Sequence, residues 1–179
     1  MPINIPQHLR NDNYPASTQG RRLAWSVAQI FFRLSPRFLY GWRNGLLRLF
    51  GATLGQDVRF YPSAMIMFPW NLQVGDHVVV GGGVRLYSLA RISLGSHVLI
   101  SQGAHLCAGS HDHRQSHFPL VLKPIEVGDG CWLAAECFIG PGVTIGAGAI
   151  VAARAVVVRS VSPGAVVAGN PARVVGTSP

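Results

Sequence analysis

Val127-Gly-Asp-Gly-Cys131-Trp-Leu133-Ala-Ala-Glu-Cys137-Phe-Ile139-Gly-Pro-Gly-Val143-Thr-Ile145-Gly-Ala-Gly-Ala149-Ile-Val151-Ala-Ala-Arg-Ala155-Val-Val157 decides the fold. An aliphatic residue returns at every sixth position, and four places after each stands a second small or aliphatic residue. A helix repeats at about 3.6 residues and a free strand at about 2, so neither accounts for a period of six. Short parallel strands joined by tight corners do. The aliphatic residue points inward, and small residues at the corners let backbones approach closely. Three hexads close a triangular coil, and each coil hydrogen-bonds to the next about 4.8 Å away.

The rhythm extends toward the N-terminus through Val74, Val80 and Leu86, slips by two residues, and resumes at Leu94, Ile100 and Leu106. The accompanying inward positions there are Val78, Val84, Ala90, Val98, Ala104 and Ser110. Leu54–Val58 and Phe60–Ala64 are expected to start the prism and Pro163–Val175 to close it, giving a mainly β domain over 52–176. Cys107 and Cys131 fall at or near inward phases and read as core. The three cysteines form no CxxC pair, which excludes a disulfide scaffold or zinc ribbon and suits a reducing compartment.

The segment before the prism differs. Residues 1–19, with Pro2, Pro6 and Pro15, read as an irregular arm. Over 20–51 the pattern turns helical, with Leu23, Val27, Ile30, Phe31 and Leu34 on one stripe. Ser35 and Pro36 are expected to cap a second helix carrying Leu39, Trp42, Leu46, Leu49 and Phe50. Residues 1–50 hold seven arginines against Asp12, a net +6, whereas residues 51–179 carry eight basic and six acidic side chains, a net +2. Two readings of these basic amphipathic helices stay open: packing on the domain or a neighbouring subunit, or peripheral contact with an anionic membrane surface through residues 20–50. At 49 % apolar and 12 % charged, the chain of 179 residues is not disordered. Neither a signal peptide nor a membrane span is expected, and the nearly neutral prism argues against nucleic acid.

Between Ser110 and Val127 the rhythm fails, and the stretch 111–126 reads as a loop leaving the prism. It holds three of the seven histidines, His111, His113 and His117. Loops projecting from repeat scaffolds commonly carry the binding site.

The inward ladders resemble the left-handed parallel β-helix of hexapeptide-repeat acyltransferases. Ser101-Gln-Gly-Ala-His-Leu-Cys-Ala-Gly-Ser-His111-Asp-His113, Gly128-Asp-Gly-Cys-Trp-Leu133, Pro141-Gly-Val-Thr-Ile-Gly146 and Gly169-Asn-Pro-Ala-Arg173 are similar to the colanic acid biosynthesis acetyltransferases. These belong with the galactoside, maltose and nodulation-factor O-acetyltransferases. Tyr40-Gly-Trp-Arg43 and Leu46-Leu-Arg-Leu-Phe-Gly51 join the match, which spans roughly residues 14–176.

This resemblance implies transfer of an acetyl group from acetyl-CoA to a saccharide hydroxyl in exopolysaccharide biosynthesis, directly and without a metal. It makes His111 the general base, a role that suits an imidazole at neutral pH. His113 and Asp112 stand in second rank as catalytic or substrate-side groups, Asp112 being equally suited to forming a turn. The family's donor site carries over to Trp132, Ala135 and Ala153 along the pantetheine arm and to Arg159 and Arg173 at the phosphates. An asparagine that galactoside-type members place near the acceptor falls on Gly81 or Gly83, so that contact does not carry over. The resemblance further implies a homotrimer, a cytoplasmic location at the inner face of the membrane, and a lipid-linked acceptor. Competing readings are a zinc enzyme of the gamma carbonic anhydrase type, using the loop histidines, and a non-catalytic trimeric scaffold.

Overall fold

The computed structural model describes residues 16–178 and is a parallel β-helix with two helices at its N-terminal end. Three sheets form the prism walls. The first face stacks Thr53–Leu54, Leu72–Val74, Ile92–Leu94, Ile125–Val127 and Thr144–Ile145. The second stacks Arg59–Phe60, Val79–Val80, Leu99–Ile100, Trp132–Leu133, Ile150–Val151 and Ala165–Gly169, and the antiparallel strand Ala172–Thr177 closes it. The third stacks Met65–Ile66, Arg85–Tyr87, His105–Cys107, Phe138–Ile139 and Val156–Val157.

Inside run the ladders that the period requires. Phe60, Val80, Ile100, Leu133 and Val151 form one, and Ile66, Leu86, Leu106, Ile139 and Val157 another, all buried. The smaller inward residues stack in their own rows, such as Ala64, Val84, Ala104, Cys137 and Ala155. The first corner is turned by left-handed residues, Asp57, His77 and His97 in the early coils and Gly130, Gly148 and Gly164 in the later ones. Non-glycine residues are uncommon there. The His77 and His97 rings stack on each other, 4.9 Å between centroids.

The slip in the sequence has a single location, the corner from the third face to the first. In the early coils this corner is wide, which lengthens the repeat to 20 residues against 18 later. Ser88 stitches it by exchanging hydrogen bonds with Phe68 N and O, and Asn71 Nδ2 donates to Ser88 O and Leu89 O. Ala90 is consequently only partly buried. In the third coil the same corner opens into an antiparallel hairpin, Gly109–His111 against Leu120–Leu122. This corrects two expectations. Ser110 is exposed because the chain has already left the wall, and the excursion runs from Gly109 to Pro124, since Ile125 is already buried in the next coil. Cys131 and Cys137 are core, but Cys107 is not. Leu106 takes the inward position, so strand alternation turns Cys107 outward, half-buried, with its thiol toward Gly109 O.

The helices cap an open edge. In the first coil Leu54 O, Val58 O, Phe60 O and Ile66 O lie at positions whose counterparts, Val74 O, Val78 O, Val80 O and Leu86 O, accept from the coil before. Unpaired edge groups invite aggregation and are costly to bury. Helix α1 (Ala16–Arg33) supplies Trp25 Nε1 and Gln29 Nε2 to Ile66 O, and α2 (Tyr40–Leu49) supplies Asn44 to Val58 O, Arg43 to Phe60 O and Arg48 to Leu54 O.

Two sequence expectations change here, and one open reading narrows. The irregular arm 1–19 lies outside the described residues up to Pro15, but Ala16–Gln19 are already helical, because no breaker separates Pro15 from Gly20. Ser35 does not cap α2. Its hydroxyl donates to Phe32 O at the end of α1 and accepts from Arg43, and α2 starts at Tyr40. The stripe Leu23, Val27, Ile30, Phe31 and Leu34 is exposed, whereas Trp25, Ala28 and Phe32 on the other face dock on the prism. No described helix is long and apolar enough to cross a membrane.

Candidate functional site

The hairpin holds His111 in one orientation. Its Nδ1 lies 2.9 Å from Phe118 O, and the two rings stack at 4.6 Å with planes 6° apart. A carbonyl only accepts, so Nδ1 carries the hydrogen and Nε2 is the basic nitrogen of the neutral ring. Ser110, His111, Asp112, His113, Arg114 and Lys123 share a cleft of about 420 Å³ with Pro141 of the next coil. His111 is half-buried and His113 exposed. The loop histidine is thus fixed by a backbone carbonyl and lines a cleft, the arrangement a positioned base needs.

Asp112 has a different duty. Its carboxylate accepts from Arg114 N and Gln115 Nε2, each at 3.0 Å, and the Arg114 amide bond is the largest cause of a pKa below the ordinary carboxylate value. It builds the turn, and the Phe118 carbonyl orients His111. A backbone acceptor has no side-chain signature, so nothing in the sequence marked Phe118, whose φ of 50° shows how sharply the chain bends there. Lys123 in the same cleft also went unassigned.

The proposed donor residues lie elsewhere on the chain. Trp132 is 45 % exposed on the second face, with Nε1 donating to Ser101 Oγ at 3.0 Å. Ala135 and Ala153 occupy the same corner of successive coils, where Arg154 N donates to Ala135 O. The register of Ile150 with Val166 carries that column on to Gly169, at the turn leading into the strand of Arg173. Glu136 and Arg154 flank the column with an ion pair at 2.6 Å. Arg159 and Arg173 meet in one pocket of about 190 Å³ at the C-terminal end of the prism. A lane of small residues ending near two guanidiniums fits a narrow arm that ends in phosphates.

Gly81 explains a missing contact. A Cβ there would lie 2.9 Å from Ile100 O and 3.0 Å from Gln102 N, both backbone atoms of the next coil. No side chain fits at Gly81, and Gly83, at φ 69°, has a backbone conformation that other residues rarely adopt, so neither position offers a side-chain contact.

Burial pushes the Cys137 thiol up to about 12 and raises that of Cys131 as well, so both remain protonated at neutral pH and neither is a nucleophile. Among the described residues no three His, Cys, Asp or Glu side chains cluster closely enough to hold a metal ion.

Residues 124–159 match the family described as bacterial transferase hexapeptide (six repeats). A protein of Escherichia coli (strain K12) named as a colanic acid biosynthesis acetyltransferase, WcaF, is 48 % identical over 173 residues, covering 97 % of this chain and 93 % of its own length. Galactoside O-acetyltransferase from the same organism is 26 % identical over 74 % of this chain and 67 % of its own. A hexapeptide-repeat acetyltransferase of Vibrio cholerae, solved with acetyl-CoA, superposes with a TM-score of 0.86 at 29 % identity, covering 94 % of this chain and 92 % of that one. With its prism and loop histidine, the chain belongs to the hexapeptide-repeat acetyltransferases.

Proposed function

We propose that the chain transfers an acetyl group from acetyl-CoA directly to a hydroxyl of a saccharide during exopolysaccharide biosynthesis, with His111 as general base. The observation that carries this reading is the His111–Phe118 bond, which leaves Nε2 basic at the mouth of a cleft. Nε2 removes the hydroxyl proton as the sugar oxygen bonds to the acetyl carbonyl carbon. The carbon–sulfur bond then breaks, and the imidazolium returns its proton to the departing thiolate. The products are an O-acetylated saccharide and free CoA, with the imidazole neutral again. Cys137 and Cys131 are buried in the prism core, out of reach of an acetyl donor. The acceptor class rests on the relative named for colanic acid biosynthesis.

The donor lies along Trp132, Ala135 and Ala153, with its phosphates at Arg159 and Arg173. Replacing either arginine with alanine should raise the KM for acetyl-CoA roughly tenfold or more, with less change in kcat, because a charged hydrogen bond contributes about 1.5–3 kcal/mol. Steady-state kinetics at varied acetyl-CoA check this, and an unchanged KM in both variants removes the assignment. On one chain the His111 cleft and the Trp132 column are on different faces, which favours a homotrimer with sites shared between subunits.

The exposed α1 stripe, with Phe38, Trp42 and Leu49, faces away from the prism, and no acidic residue occurs between Asp12 and Asp57. An exposed apolar face on a segment rich in arginine and free of acidic residues suits an anionic bilayer at the cytoplasmic side and a lipid-linked acceptor. Full-length protein should sediment with anionic vesicles at low salt and be released at high salt. Protein remaining in the supernatant would assign the stripe to contacts between subunits.

A further inference from the structure

A pocket of about 320 Å³ lies between α1 and the third face, apart from both the hairpin cleft and the donor column. Arg33, at the end of α1, and Arg85, pointing outward from its strand, both line it. Among the described residues neither has a carboxylate partner: the ion pairs there are His77–Asp57 and Arg154–Glu136, and no described acidic side chain lines the pocket. Its floor is apolar, with Met65 and Met67, and Tyr87 and His105 stand on its wall, their rings edge to face at 6.4 Å. Gln29 is held at the rim by its bond to Ile66 O. Burial first, and the Arg85 charge second, lower the pKa of His105, so its ring is neutral at pH 7 and can hydrogen-bond a hydroxyl.

These features fit a single ligand chemistry. Apolar and aromatic walls pack against the C–H face of a sugar ring, while guanidinium forks match a carboxylate or phosphate. Uncompensated cations around a concave site attract an anion. We propose that this pocket binds an acidic saccharide, gripping its anionic group through Arg33 and Arg85, as a recognition subsite for the acceptor. The proposal rests on the acetyl-transfer reading. The strand that carries His105 runs on through Cys107 into the hairpin that ends at His111. At about 3.3 Å per residue the path between the two histidines is at most roughly 20 Å. An oligosaccharide reaches across that distance, so one acceptor can occupy both places.

The test is binding, read separately from catalysis. The full-length protein is titrated by calorimetry with methyl β-D-glucuronide, methyl β-D-glucoside and glucose 1-phosphate. The wild type should bind at least one of the two anionic sugars about tenfold or more tightly than the glucoside, and the tighter of the two identifies carboxylate or phosphate as the group recognised. Arg85→Gln and Arg33→Gln should each reduce that preference about tenfold. Both side chains are exposed, so the fold tolerates the changes, and glucoside binding should stay constant. Equal affinity for all three sugars, or a preference that survives both substitutions, overturns the subsite. Transfer from acetyl-CoA is followed with the same sugars. Selective binding without transfer leaves the subsite standing and removes the acetyl-transfer reading, whereas transfer with no anionic preference does the reverse.

Discussion

Replacing His111 with alanine should lower kcat by about 10²–10⁴-fold, the usual contribution of a positioned general base. The KM for acetyl-CoA should move little, because the guanidiniums proposed to hold its phosphates, Arg159 and Arg173, lie at the C-terminal end of the prism and not in the hairpin cleft. The pH profile carries the sharper signature. A general base works only in its unprotonated form, so the wild-type kcat should fall on acidification. The residual activity of His111→Ala should lack that limb. His113→Ala is the control, since His113 shares the cleft but is exposed. If His113→Ala abolishes the limb and His111→Ala retains it, the roles are exchanged.

The second large effect concerns stability. Arg43 is fully buried, and its guanidinium donates to Phe60 O at 2.7 Å, to Ser35 Oγ and Pro36 O at 2.8 Å, and to Arg37 O at 2.6 Å. Tyr40 lies beneath it, 5.0 Å from ring centroid to guanidinium carbon. Burial lowers its pKa below the usual value, yet an arginine stays charged at neutral pH, so backbone dipoles stand in for a counter-ion. One side chain thereby joins α2, the turn after α1 and the exposed edge of the first coil. Arg43→Met keeps much of the volume but leaves three carbonyls without their donor. A hydrogen bond to a charged group contributes about 1.5–3 kcal/mol, and each buried group left unpaired costs about 1–3 kcal/mol. Urea unfolding of Arg43→Met should therefore show a loss of about 3–5 kcal/mol. Arg43→Lys should recover only part of it, because one ammonium cannot reproduce the guanidinium fork. A loss below about 1 kcal/mol in Arg43→Met would show that the helices do not depend on this network.

The inward rows were legible because a period of six leaves each wall one obligatory aliphatic position. Leu94, Ile100 and Leu106, then Val127 through Val157, are all buried as the spacing demands. Irregular corners hid the rest. Ser110 kept the phase in sequence although the backbone had already turned away at Gly109, and Cys107 was judged by its neighbours' phase instead of strand alternation. On α1 the densest aliphatic row was real but faces outward, because docking selects residues that satisfy carbonyls. Trp25 and Gln29 do so, and Leu23 or Leu34 cannot. For the same reason several arginines that resemble surface charge are internal fasteners, Arg43 above all.

For the candidate site, motif register located His111 and the small-residue corner of Ala135 and Ala153. The partner that fixes the His111 tautomer is a backbone carbonyl, which no residue pattern announces. The pocket of Arg33, Arg85 and His105 was invisible for another reason. Its members come from a helix and two different coils, and only the stacking of those coils on α1 brings them together.

Direct acetyl transfer to a sugar hydroxyl can be followed in a single turnover. Full-length protein is mixed with an equal amount of acetyl-CoA labelled in the acetyl group and a panel of neutral and acidic glycosides, then quenched, and the label is traced. Label should pass to the sugar as an O-acetyl ester, with an equal amount of free CoA thiol and none on the protein. Label on the protein, or none leaving acetyl-CoA with any acceptor, would contradict it.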